Sequence, residues 1–113
     1  MCRLSYRYVS FEDIRLLCMQ GVLDWNYWFL STDDNMLVLF YDTQIIGALE
    51  LSCKFGALFI EMMEIPYSSR KMGYGTMIVQ FLQNCCNSIG CVPIEESERL
   101  FVKCGFVHSE GAL

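Results

Sequence analysis

The sequence predicts a mixed α/β (α+β) domain in which helices flank a mainly antiparallel central sheet. Three observations predict it. The patterned segments run strand, helices, three strands, helix, strand, helix, strand, with no visible linker or internal repeat. That order places both element types in one layered structure. The three central strands are joined by short polar turns, the mark of an antiparallel meander. Finally, 54% of the 113 residues are hydrophobic and 19% charged, which suffices for one core and not for two. Residues 1–113 therefore read as a single domain.

Each element has its own signal. Residues 3–9 alternate loosely, as an edge strand does. Ser10 is a candidate N-cap with Asp13 three residues on, a weak capping box. Ile14, Leu17 and Cys18 then recur at helical spacing over 11–20, and Gly21 is a natural stop. Residues 22–30 carry Trp25, Tyr27, Trp28 and Phe29 and fit a second short helix or an ordered loop. A polar turn over 31–35 leads to a strand at 36–41. Asp42-Thr43-Gln44 is a hairpin turn, 45–53 the next strand, 54–56 another turn, and 57–65 the last strand of the meander, ended by Pro66. Over 75–88, Ile78, Phe81, Leu82 and Cys85, with Ile89 just beyond, form one helical stripe, and Gly90 stops it. A very short strand over 91–94, a helix over 95–103 and a final strand over 106–109 complete the reading.

Composition excludes several function classes. High hydrophobicity excludes a disordered chain, and Gly 8 with Pro 2 excludes collagen-like and low-complexity chains. A net charge of −5 denies a global basic footprint for nucleic acid. The longest apolar run, Met36-Leu37-Val38-Leu39-Phe40-Tyr41, falls far short of the roughly 20 residues a membrane helix needs. Basic residues near the N-terminus have no apolar run behind them, so no secretory signal is read and the protein is expected in the cytoplasm. The seven cysteines contain no C-x-x-C pair, and His108 is the single histidine. No metal site is predicted, and the cysteines read as small hydrophobes in a reducing compartment.

The informative stretch is Arg70-Lys71-Met72-Gly73-Tyr74-Gly75-Thr76, between a strand and a long helix. Gly73 and Gly75 allow close backbone approach. Amides at the helix N-terminus and the charges of Arg70 and Lys71 then make an anion site suited to phosphate or pyrophosphate. A Walker loop is absent, because no Gly-Lys-Ser/Thr follows four spacers. A Rossmann fingerprint fails at Ile78, where its third glycine belongs, and the preceding strand closes a meander instead of opening a parallel unit. A glycine-containing loop that merely turns the chain remains the alternative.

Arg70-x-x-Gly73-x-Gly75 resembles the acyl-CoA pyrophosphate loop, Gln/Arg-x-x-Gly-x-Gly/Ala, of the GNAT N-acetyltransferase superfamily. Leu100-Phe101-Val102-Lys103-Cys104-Gly105-Phe106 is similar to its closing Phe-Tyr-x-Lys-x-Gly-Phe segment. Ile45-Ile46-Gly47-Ala48 fits the start of its third strand. The resemblance covers roughly residues 36–106 and implies a GNAT-like sheet whose fourth and fifth strands splay apart. It implies acetyl-CoA as acyl donor, its pantetheine arm along the backbone of Met63 and Ile65 and its pyrophosphate on the Met72 to Thr76 amides, beside Arg70 and Lys71. The implied reaction is direct attack of a primary amine, of a small molecule or a protein, on the acetyl thioester. Glu61 stands where family members carry the proposed base. Strand alternation would put it on the face of Met63, with Glu64 opposite, and an apolar strand would raise its pKa. Asp24, Trp25 and Trp28 are candidates for the acceptor wall.

Three departures qualify the resemblance. The family's general-acid tyrosine falls on Phe101, which cannot donate a proton, so water, Tyr67 or Tyr74 would have to serve. The fifth strand is shortened and contains Pro93, which lacks a backbone donor. Too little chain follows Phe106 for a seventh strand, so an exposed edge or a second copy's strand would complete the sheet, and a homodimer is expected. The alternative function is a degenerate GNAT fold that binds acyl-CoA or a protein partner without catalysis.

Overall fold

Apolar residues occupy both parities of the strand at 36–41, so both faces of the sheet must be covered. The computed structural model describes residues 4–29, 35–54, 57–85, 89–91, 100 and 104–105 and shows this sandwich. The order is β1 (Leu4–Val9), α1 (Phe11–Met19), α2 (Trp25–Trp28), β2 (Met36–Tyr41), β3 (Gln44–Lys54), β4 (Ala57–Glu64), a 3-10 turn (Tyr67–Ser69), α3 (Tyr74–Cys85) and β5 (Ile89–Cys91). The sheet runs β1-β2-β3-β4-β5. The first three pairings are antiparallel, and β4 with β5 is parallel.

On one face Leu37, Leu39, Leu49, Leu51 and Ile60 meet Ile78, Val79 and Leu82 of α3. On the other, Met36, Val38 and Ala48 meet Ile14, Leu23 and Trp28 from the α1–α2 segment. Burying each such side chain contributes about 1.5–3 kcal/mol. The capping box is complete: Asp13 N–H donates to Ser10 Oγ, and Ser10 N–H donates to Asp13 Oδ2. Gly47 lets α3 come close, because a Cβ there would lie 2.4 Å from Ile78 Cδ1.

Two β-bulges break the alternation. On β3, Leu39 pairs Gly47 and Phe40 pairs Ile45, which leaves Ile46 extra. On β4, Glu50 pairs Met62 and Leu51 pairs Ile60, which leaves Glu61 extra. Gly90, expected to stop a helix, lies inside β5 opposite Phe59. A Cβ at Gly90 would meet the Phe59 ring at 2.8 Å, so the ring requires the glycine. Leu100 is helical, packs over Gly75, and its carbonyl accepts from Cys104 N–H. The rest of the expected last helix, the strand expected at 106–109, the chain after Phe106 and Pro93 lie outside the described residues. Cys18, Cys53, Cys85, Cys91 and Cys104 are free thiols. No described helix is long and apolar enough to cross a membrane. No group of three or more metal-binding side chains occurs among the described residues.

Candidate functional site

The loop read as a candidate anion site runs from the 3-10 turn into α3. Lys71 and Gly73 adopt left-handed backbone, φ 64° and 81°, which turns the chain into α3. Gly73 carbonyl accepts from Met77 N–H, so the amides of the first turn point out of the helix unpaired by it. Space beside Gly73 is open: a Cβ there meets nothing within 4 Å. Thr76 and Tyr74 are half-buried on that turn, and Tyr74 packs on Tyr41 at 6.0 Å. Lys71 and Met72 are exposed. Arg70 folds back: its Nε donates to Ile65 carbonyl at 2.9 Å and its guanidinium lies over the Tyr67 ring. The preceding turn is pinned by Ser69, whose buried Oγ donates to Ile45 carbonyl and accepts from Gln44 Nε2.

Beside the loop, β5 pairs with Leu58 to Ile60 of β4, and β4 beyond Ile60 has no β5 partner among the described residues. The bulge at Glu61 follows directly on the described pairing. It changes parity: Leu58 and Ile60 pack toward α3 before it, Met63 and Ile65 after it. Glu61 accepts from Ser52 Oγ at 2.6 Å, and Ser52 faces away from the core residue Leu51, toward the α1–α2 side. Glu61 therefore shares a face with Met62 and Glu64 and not with Met63, contrary to simple alternation. It is exposed, where burial was expected.

Glu64 is the buried carboxylate, 5% exposed. Asp24 N–H donates to both its oxygens, at 3.1 and 3.0 Å, and Trp28 Nε1 donates at 2.7 Å. Arg70 Nη2 stands 3.8 Å away. Burial pushes the Glu64 carboxyl above the usual carboxylate range, against the pull of Trp28, the Asp24 amide and Arg70. Trp28, expected on the acceptor wall, is fully buried and faces Glu64. A buried indole N–H needs an acceptor, and the strand carboxylate supplies it. Asp24 caps α2, and Trp25 stays exposed beside Phe11. Trp25, Arg15, Cys18 and Met19 line an open depression of about 390 Å³.

The fold recurs in solved structures. A GNAT-family acetyltransferase from Streptococcus pneumoniae superposes with a TM-score of 0.64 at 14% identity, covering 95% of this chain and 88% of that one. The chain has the GNAT fold. Diaminobutyrate acetyltransferase from Paenibacillus lautus, in complex with L-2,4-diaminobutyric acid and coenzyme A, matches with a TM-score of 0.57 at 20% identity, over 91% and 75% of the chains. Naa50 from Arabidopsis thaliana, in complex with a CoA–peptide bisubstrate analogue, matches with a TM-score of 0.58 at 14% identity, over 96% and 85%. No family model matches the sequence, and no curated protein matches it.

In a GNAT-fold chain the loop at Arg70, the β4 bulge and the α1–α2 turn surround the end of one strand. Glu61, Glu64, Asp24 and Arg70 all belong to this region. Glu64 was ranked behind Glu61 by alternation. Its available signal was an acidic residue in an apolar strand with a nearby pair of tryptophans in need of an acceptor.

Proposed function

We propose that the chain is an acetyl-CoA-dependent N-acetyltransferase acting on a primary amine of a small molecule or protein. The observation that carries this reading is the glycine-bearing loop, whose first-turn amides at the start of α3 point out of the helix beside the end of β4. The outward amides of Met72 to Thr76 and the open space at Gly73 suit a pyrophosphate. Lys71 adds positive charge from the exposed side. The backbone of Met63 and Ile65, unpaired with β5 among the described residues, would hold the pantetheine arm as an added strand.

Glu61 is the candidate base. A bulge re-aims side chains beside a site, and Ser52 holds the Glu61 carboxylate in one orientation. Glu61 takes a proton from the acceptor ammonium. The neutral amine nitrogen then bonds to the thioester carbonyl carbon, the carbon–sulfur bond breaks, the thiolate leaves, and the nitrogen gives up its second proton to solvent to become the amide. Solvent protonates that thiolate, because Phe101 carries no proton. Asp24 and Trp25, at the mouth of the α1–α2 turn, supply the acceptor wall.

Phe101 also favours a second reading, a module that binds acyl-CoA without turnover. Calorimetric titration with acetyl-CoA, on the native chain and on Gly73→Glu, tests the donor site. Micromolar binding lost in a mutant that keeps its circular dichroism supports it. No binding by the native chain refutes both readings. Binding without CoA release against an amine panel selects the second.

A further inference from the structure

Glu64 has no part in the proposed transfer step, yet its buried carboxylate accepts three hydrogen bonds and faces a guanidinium. Its partners come from three segments. Asp24 N–H belongs to the α1–α2 turn, Trp28 Nε1 to α2, and Arg70 Nη2 to the anion loop. Arg70 is fixed in turn by Ile65 carbonyl and the Tyr67 ring. A single carboxylate thus touches both the acceptor-side turn and the first residue of the loop.

A neutral side chain would serve the turn badly. Asp24 N–H sits against both oxygens, so a carboxamide would set its own N–H₂ against a donor on one side. Burying a charge here is costly unless it is paired. The Arg70 guanidinium is the cation placed to pair it. The other ionisable groups around Glu64, among the described residues, are Asp24 on the turn and Cys18 on α1. The Cys18 thiol is held above its ordinary range by burial first and by the negative charges of Glu64 and Asp24 second.

We propose that Glu64 is a positioning residue whose charge couples the acceptor-side turn at residues 24–28 to the anion loop at Arg70. The coupling rests on the transferase reading only for what the two walls bind; the contacts stand without it. An anion on the loop lies toward Arg70 and competes for its charge. The Glu64 carboxylate then takes up a proton more readily, and its hold on the Asp24 amide and the Trp28 indole changes. Occupancy of the donor site is transmitted to the acceptor wall in this way, and the linkage is reciprocal.

The Trp28 indole N–H reports on Glu64 directly. In a nitrogen-15 spectrum the chain gives two indole signals, from Trp25 and Trp28, and Trp25→Phe assigns them. The Trp28 signal is expected to titrate with a midpoint above the ordinary carboxylate range, and to lose that titration in Glu64→Gln. Arg70→Gln, with its fold verified by circular dichroism, should move the midpoint to higher pH. A Trp28 signal that does not titrate, or a midpoint unmoved by Arg70→Gln, overturns the coupling. Acetyl-CoA is then added to the native protein. Binding seen by calorimetry should raise the same midpoint, and binding that leaves it unchanged also overturns the coupling. If acetyl-CoA does not bind, the transferase reading fails, and the Arg70→Gln arm decides the coupling alone.

Discussion

Gly47→Ala should destabilise the fold through one atom pair. The new Cβ would stand 2.4 Å from Ile78 Cδ1, with Ile65 Cδ1 at 3.6 Å and Glu64 carbonyl at 3.7 Å in ordinary contact. Carbon atoms prefer about 3.5–4.0 Å, so the Ile78 methyl must retreat by roughly an ångström. Ile78 is fully buried between β3 and α3, so it cannot swing into solvent. Overpacking of this kind costs about 1–3 kcal/mol, reduced by up to about 1 kcal/mol because Ala narrows the unfolded ensemble. The net loss is about 1–2 kcal/mol, a fall in Tm of roughly 4–8 °C for a domain of this size. Ile78→Val removes the clashing methyl and alone costs about 0.5–1.5 kcal/mol. The double mutant should cost clearly less than the sum, since the new Cβ fills the space the methyl vacates. Urea unfolding followed by tryptophan fluorescence measures all four proteins. Additivity within about 0.5 kcal/mol would refute the reasoning. Because Ile78 sits one turn into α3, acetyl-CoA affinity should fall in Gly47→Ala and recover in the double mutant.

Other expectations follow from single side chains. The Glu64 carboxyl is raised above its ordinary 4.5 by burial, so the folded state holds a proton that the unfolded state has released. Stability should therefore decline as pH rises from about 4.5 through the elevated folded value and then level off. Urea midpoints across that window, native minus Glu64→Gln, isolate this component, and a flat difference would contradict it. Ser10→Ala removes the hydroxyl that accepts from Asp13 N–H, leaves the Ser10 N–H bond to Asp13 in place, and should cost about 1 kcal/mol, or some 4 °C in a thermal scan. Glu61→Gln should lower acetyl transfer about 10²–10⁴-fold with acetyl-CoA affinity unchanged, as expected for loss of a general base. An unchanged rate would move the base role elsewhere.

Much of the fold was readable because local and global demands agree. The strand at 36–41 came out with its own bounds, since an apolar run between two polar turns admits one reading. The turn at Asp42-Thr43 was equally plain: Asp42 takes φ 56°, which Asp tolerates better than most residues. The turn into α3 was legible because glycines at fixed offsets are read without knowing what packs on them. Gly90 was misread for the opposite reason. Its lack of a side chain serves the Phe59 ring on a neighbouring strand, and no local signal distinguishes that need from a helix stop. Trp28 was drawn toward the surface by its company with Trp25. Two aromatics three apart on a single helical turn point to different surroundings, and only the Glu64 contact shows which one is core.

The two carboxylates of β4 show where alternation stops being a reliable guide. Counting by twos from Met63 places Glu61 beside it and Glu64 across the sheet. One extra residue at the bulge reverses the count. Glu61 and Glu64 then share the α1–α2 face, and the strand serves two tasks from one side. At its exposed bulge it presents a carboxylate that Ser52 orients, fit to exchange a proton with solvent-borne substrate. Three residues on, it buries a second that ties Asp24, Trp28 and Arg70 together. Under the proposed roles the two carboxylates cannot be exchanged, because a base in the Glu64 position would be sealed by its own donors. The bulge sets an exposed carboxylate and a buried one on the same face, three residues apart, within a strand of eight residues.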